Sequence, residues 1–77
     1  MTKSLNNWNY NDVVDVLREH NFTLIHTRGS HYYFVGQYEG KFRKVCVPYH
    51  GSQTLKPRTF KGIILQSGIS KNLWLKK

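Results

Sequence analysis

Arg28-Gly29-Ser30-His31 lies between two runs of β character, Phe22-Thr23-Leu24-Ile25-His26-Thr27 before it and His31-Tyr32-Tyr33-Phe34-Val35 after it. Both runs are rich in aromatic and β-branched side chains, which suit a pleated, half-buried surface. Gly29-Ser30 has the length and composition of a two-residue hairpin loop, with Gly29 at the position where φ has to be positive. In that register Arg28 and His31 close the loop as an opposed pair on one face of the ladder. A second turn is signalled by the two glycines of Gly36-Gln37-Tyr38-Glu39-Gly40-Lys41. Residues 42–47 then alternate as a third strand, which Pro48 ends because proline has no N–H to donate.

Helices are expected on either side of these strands. Tyr10, Val13, Val14 and Leu17 recur at helical spacing, while Asp15, Arg18 and Glu19 take the other face. Asn9 as N-cap, with Asp12 three residues on, makes a partial capping box, and Asp12, Arg18 and His20 suit the helix dipole. Asn21 can take the left-handed conformation that ends a helix, so the first helix is read over residues 10–20. Pro57 suits the first turn of a second helix, with Phe60, Ile63, Ile64 and Ser67 as its buried stripe and Gly68 at its end. Gly62 inside that helix costs about 1 kcal/mol relative to Ala, which close packing or the approach of RNA would justify. Ser70 caps a last short turn in which Leu73, Trp74 and Leu75 cover the core. Residues 1–8 read as a loose arm and residues 9–77 as a single domain. The order α-β-β-β-α, with two helices covering one face of a three-stranded antiparallel sheet and a short C-terminal helical turn, is an α+β sandwich. It resembles the double-stranded-RNA-binding (dsRBD) fold.

A chain of 77 residues has a small core, so a surface site or shallow groove is expected rather than a large cavity. Twelve Lys and Arg against four Asp and Glu give a formal charge of +8, which implies a polyanionic partner. No segment is long and apolar enough to span a membrane, and no apolar targeting segment opens the chain. Cys46 is the only cysteine, which fits a reducing compartment and a cytoplasmic protein.

The chemistry gathers at the hairpin. An imidazole titrates near neutral pH and can act as base or acid, and a guanidinium forks onto phosphate oxygens. His31 beside Arg28 is therefore suited to a phosphodiester: the imidazole takes a ribose 2′-hydroxyl proton or protonates the leaving 5′-oxygen, and Arg28 stabilises charge at phosphorus. The plain alternative is a histidine that packs beside a turn. His50, just after the third strand, is a second acid–base group or a loop support. His20 reads as a dipole partner, and His26 shares the face of Arg28. Cys46, His50, His26 and His31 lack the paired spacing of a structural zinc site, so no metal and no cofactor are expected. A hydrolase built on Ser30 and His31 fails because adjacent strand residues face opposite ways and no nucleophile elbow is present. Tyr32, Tyr33, Phe34 and Tyr38 are candidates to stack on bases. Alternation sends Tyr32 and Phe34 to one face and Tyr33 to the other, so at least half of the cluster is core, and the sequence leaves open which half. Lys56, Arg58 and Lys61 are candidates for phosphate contacts, or simply a solvated helix face.

Arg28-Gly29-Ser30-His31-Tyr32-Tyr33-Phe34, Val45-Cys46-Val47-Pro48-Tyr49-His50 and Leu55-Lys56-Pro57-Arg58-Thr59-Phe60, followed by Ile63 and Gly68-Ile69-Ser70, together resemble the HicA (YcfA-like) toxins. These are the mRNA interferases of type II toxin–antitoxin modules. The resemblance runs from about residue 9 to 70 and implies a dsRBD-like fold, metal-independent cleavage of mRNA and inhibition by a HicB-type antitoxin. The family's essential histidine maps onto His31. The family usually carries glycine where Asn21 stands and commonly near Pro57, departures that touch helix ends. The expectation is an endoribonuclease toxin; the rival is a dsRBD-like RNA-binding module without chemistry of its own.

Overall fold

The structure, a computed structural model, describes residues 7–51 and 53–75. Its elements are α1 (Tyr10–Glu19), β1 (Thr23–Arg28), β2 (His31–Tyr38), β3 (Lys41–Pro48), α2 (Pro57–Ser67) and α3 (Lys71–Leu75). The strands form one antiparallel sheet in the order β1-β2-β3, which is the expected α+β arrangement.

Local chemistry sets most of the boundaries. Asn9 Oδ1 accepts from the Asp12 N–H and Asp12 Oδ2 accepts from the Asn9 N–H, each at 3.0 Å, so the capping box that opens α1 is complete. The helix stops one residue earlier than expected, with His20 as C-cap and its Nδ1 2.9 Å from the Val16 carbonyl. Asn21 then turns left-handed at φ 68°, where its short polar side chain is tolerated, and Phe22 folds back into the core. Pro57 opens α2 and a left-handed Gly68 closes it.

The hairpin forms in the expected register: Gly29 has φ 60° and Arg28 pairs with His31. The second turn is tighter than expected. β2 runs through Gly36 to Tyr38, and only Glu39 and Gly40 turn, both at positive φ. Gly36 serves packing instead, because a Cβ there would lie 2.9 Å from Phe22 Cγ and 3.0 Å from the Asn21 carbonyl oxygen. The α1–β1 joint therefore rests directly on the β2 backbone. Gly62 is the reverse case: a Cβ at that position meets nothing within 4 Å, so close packing does not account for it.

The core fills one face of the sheet. Phe34, Val45 and Val47 meet Val13, Val16 and Leu17 of α1 and Phe60, Ile63 and Ile64 of α2. Ser67 is buried with them, its hydroxyl donating to the Ile64 carbonyl and accepting from the Ile69 N–H. Of the residues read as a loose arm, 1–6 lie outside the described residues, while Trp8 is fully buried. Trp8 stacks on Phe60 at 4.7 Å and meets the edge of Trp74 at 5.8 Å, and its carbonyl accepts from the Leu55 N–H. In α3 the covering residue is Trp74, whereas Leu73 turns outward. An aromatic at each end of the chain thus closes the same corner of the core.

Candidate functional site

With both helices on one face, the other face of the sheet is left open, and strand alternation decides what it shows. Phe34 is buried, so Tyr32 and Tyr38 share the core side, where both pack against the cluster. His31 and Tyr33 point the other way. Cross-strand pairing adds Arg28 and His26 from β1 and Lys44, Cys46 and Pro48 from β3. None of the four carboxylates joins them: Asp12, Asp15 and Glu19 are on α1, and Glu39 is in the turn at the far end of β2. The open face is therefore uniformly cationic or neutral.

His31 is exposed at the rim of this face, opposite Arg28 on one side and Pro48 on the other. Its Nδ1 lies 3.7 Å from Cys46 Sγ, a contact across the β2–β3 diagonal. That contact orients the ring from one side, and Nε2 has no hydrogen-bond partner among the described residues. The turn is tied to the end of β3, since the Tyr49 N–H donates to the Ser30 carbonyl at 2.7 Å. Tyr49 also closes an aromatic group with Tyr10 and Tyr32, at 4.9 and 5.5 Å between rings, beneath the same rim. Burial pushes the Tyr10 phenol above its ordinary pKa of 10.0, with the Tyr32 charge adding to the rise, Arg18 opposing it and Tyr49 adding again.

His50 reaches the same end of the sheet, two residues beyond the Pro48 that pairs with His31. Its carbonyl accepts from the Gln53 N–H at 3.2 Å, and its exposed side chain lines a hollow of about 400 Å³. Gln53, Leu55, Lys56 and Thr59 line it too, at the start of α2. Lys56 and His50 are thus brought together. Arg58 is exposed in the first turn of α2, while Lys61 borders a separate apolar hollow with Ile64, Leu65 and Lys71. Lys56 and Lys61 thus border different hollows.

A second hollow, of about 340 Å³, lies on the open face and is lined by Ile25, His26, Arg28, Tyr33 and Lys44. His26 is expected on this face from the sequence, while Ile25 and Lys44 carry no sequence signal of a site. The alternation that sends Tyr33 to the side of His31 was legible; the irregularity in β1 that turns Ile25 toward this hollow was not. Nothing in the sequence signals the contact of Cys46 with His31. Among the described residues no group of three His, Cys, Asp or Glu side chains converges as a metal site would require.

The family model described as "HicA toxin of bacterial toxin-antitoxin" matches this chain over residues 10–69. Neither a curated protein nor a solved structure matches it. The matched span begins with α1 and ends just after the Gly68 cap of α2.

Proposed function

Since the chain belongs to the HicA toxin family of bacterial toxin–antitoxin systems, we propose that it is an endoribonuclease that cuts mRNA, with His31 as the general acid–base group. What supports the reading is an exposed His31 paired across the ladder with an exposed Arg28, on a sheet face without a carboxylate. In this mechanism Nε2 takes the proton of a ribose 2′-hydroxyl. The 2′-oxygen bonds to the adjoining phosphorus, the bond from phosphorus to the 5′-oxygen breaks, and the departing oxygen takes up a proton. The products are a 2′,3′-cyclic phosphate and a 5′-hydroxyl. Arg28 binds the non-bridging oxygens, where charge grows in the transition state.

His50 either protonates the leaving oxygen or steadies the loop beneath it, and His50→Ala distinguishes the two by the pH profile of cleavage. Lys56, Arg58 and Lys61 hold flanking phosphates. Gly29 and Ser30 keep the turn narrow enough to present both site residues. The chemistry needs no divalent ion, and the enzyme works in the cytoplasm. No helix among the described residues is long and apolar enough to cross a membrane. A HicB-type antitoxin silences the site by laying an acidic surface over Arg28 and His31.

The test is incubation of a defined RNA with the protein in EDTA, followed by analysis of the new ends. Cleavage leaving a 2′,3′-cyclic phosphate supports the mechanism. Binding without cleavage, with or without magnesium, would make the protein the RNA-binding module that is the rival reading.

A further inference from the structure

β1 carries the irregularity that matters most on the open face. Leu24 pairs with Phe34 and His26 with Tyr33, so Ile25 is an extra residue with no partner. In a regular strand Ile25 and His26 would point to opposite faces; at a bulge the chain is re-aimed, and both line the same hollow. Ile25 is 56% exposed there, an apolar side chain presented to solvent beside two cations. The His26 and Tyr33 rings lie 5.6 Å apart at 30°, an offset stack. The Lys44 ammonium sits 5.2 Å from the Tyr33 ring centre. Arg28 forms the wall nearest His31, its partner in the ladder.

Flat aromatic and apolar surface ringed by cations is the chemistry that takes a nucleobase with a phosphate on either side. We propose that the hollow framed by Ile25, His26, Arg28, Tyr33 and Lys44 receives an unpaired base next to the phosphodiester that His31 attacks, and that the substrate is therefore single-stranded RNA. The inference rests on the nuclease reading and deepens it by naming the form of RNA. Tyr33 follows His31 by two residues on the same face, a separation of roughly 6.6–6.8 Å along the strand. That is comparable to one nucleotide step of an extended chain. A duplex keeps its bases stacked and paired, so none can lie flat against Ile25 and Tyr33 without first being splayed out. Lys44 is exposed, so in the proposed complex a base replaces its ammonium on the Tyr33 ring and the ammonium meets a phosphate. Recognition by stacking tolerates more than one base, since every base has a π face.

The test measures binding separately from cutting. In a His31→Ala background, a short fluorescein-labelled single-stranded oligoribonucleotide is titrated against Tyr33→Leu, Tyr33→Phe and unaltered Tyr33, with circular dichroism as a folding control. Loss of one base stack weakens binding about 5- to 150-fold in Tyr33→Leu, while Tyr33→Phe binds like the parent. The same RNA annealed to its complement binds the parent more weakly than the single strand. Equal affinity of Tyr33→Leu and parent, or a duplex bound as tightly as the single strand, overturns the proposal. So does a Tyr33→Leu variant whose only loss is in affinity for a protein antitoxin, since the hollow would then anchor a protein side chain. The two readings fail separately. Tyr33-dependent binding with a wild type that cuts nothing keeps the subsite and sinks the nuclease; cleavage with an unchanged KM in Tyr33→Leu does the reverse.

Discussion

His31→Ala is the perturbation from which the mechanism has most to lose. The side chain is exposed, and the contact it gives up is the one to Cys46 Sγ at 3.7 Å. Truncating a surface residue with so little packing costs within about 0.5 kcal/mol. For a domain of this size that moves Tm by no more than about 2–4 °C. RNA affinity should hold as well, because Arg28, Lys44 and Lys56 stay in place to meet phosphates. Cleavage should fall about 10²- to 10⁴-fold, the usual contribution of a positioned acid–base group, which corresponds to roughly 3–5 kcal/mol of barrier. The assay is single-turnover cleavage of a labelled oligoribonucleotide in EDTA, with fluorescence anisotropy for affinity and thermal unfolding for stability. An undiminished rate removes His31 from the chemistry. A collapse of Tm alongside the rate refutes the reasoning differently, since the residue would then be acting through the fold.

Other outcomes follow from the packing and the charge. Trp8→Ala should cost about 3–5 kcal/mol in urea unfolding, because Trp8 is fully buried between Phe60 and Trp74; a loss under 1 kcal/mol would return it to a loose arm. Gly62→Ala should stabilise by about 0.5–1 kcal/mol, while Gly36→Ala should lose about 1–3 kcal/mol against Phe22 and Asn21, and equal effects in urea unfolding would contradict the packing. The raised pKa of Tyr10 means that the folded state favours the neutral phenol; its contribution is complete below pH 10.0 and is lost as pH rises through the higher folded value. Tyr10→Phe should therefore lose less stability than wild type on going above that pH, and parallel stability profiles would refute it. Replacing Lys56, Arg58 and Lys61 together with Gln should flatten the plot of log affinity against log salt by about 0.7 for each single-strand phosphate contact removed, and an unchanged slope would take them off the RNA path.

Residues acting over a few positions were readable in advance. Asn9 and Asp12 cap α1 through each other, Asn21 ends it left-handed, and Gly29-Ser30 sets Arg28 against His31; each outcome depends on near neighbours in the chain. Gly36 lies within β2 and not in a turn, because a glycine marks a tight approach as readily as a bend. Only the folded chain brings Phe22 over it.

From the sequence alone came the element order, the hairpin register and the identity of the paired guanidinium and imidazole, since backbone conformation and strand pairing across a short loop are local. Alternation divided the strand residues into two sets without saying which set faces inward. The packing of α1 and α2 made that choice, burying Phe34, Val45 and Val47 and leaving His31, Tyr33 and Lys44 outside. Tertiary structure also brought Cys46 to His31, closed the core with Trp8 and Trp74, and used an unpaired residue in β1 to turn Ile25 toward Tyr33. The cysteine and tryptophan contacts join residues remote in sequence, and a long-range contact depends on the volume and shape of every element packed between them.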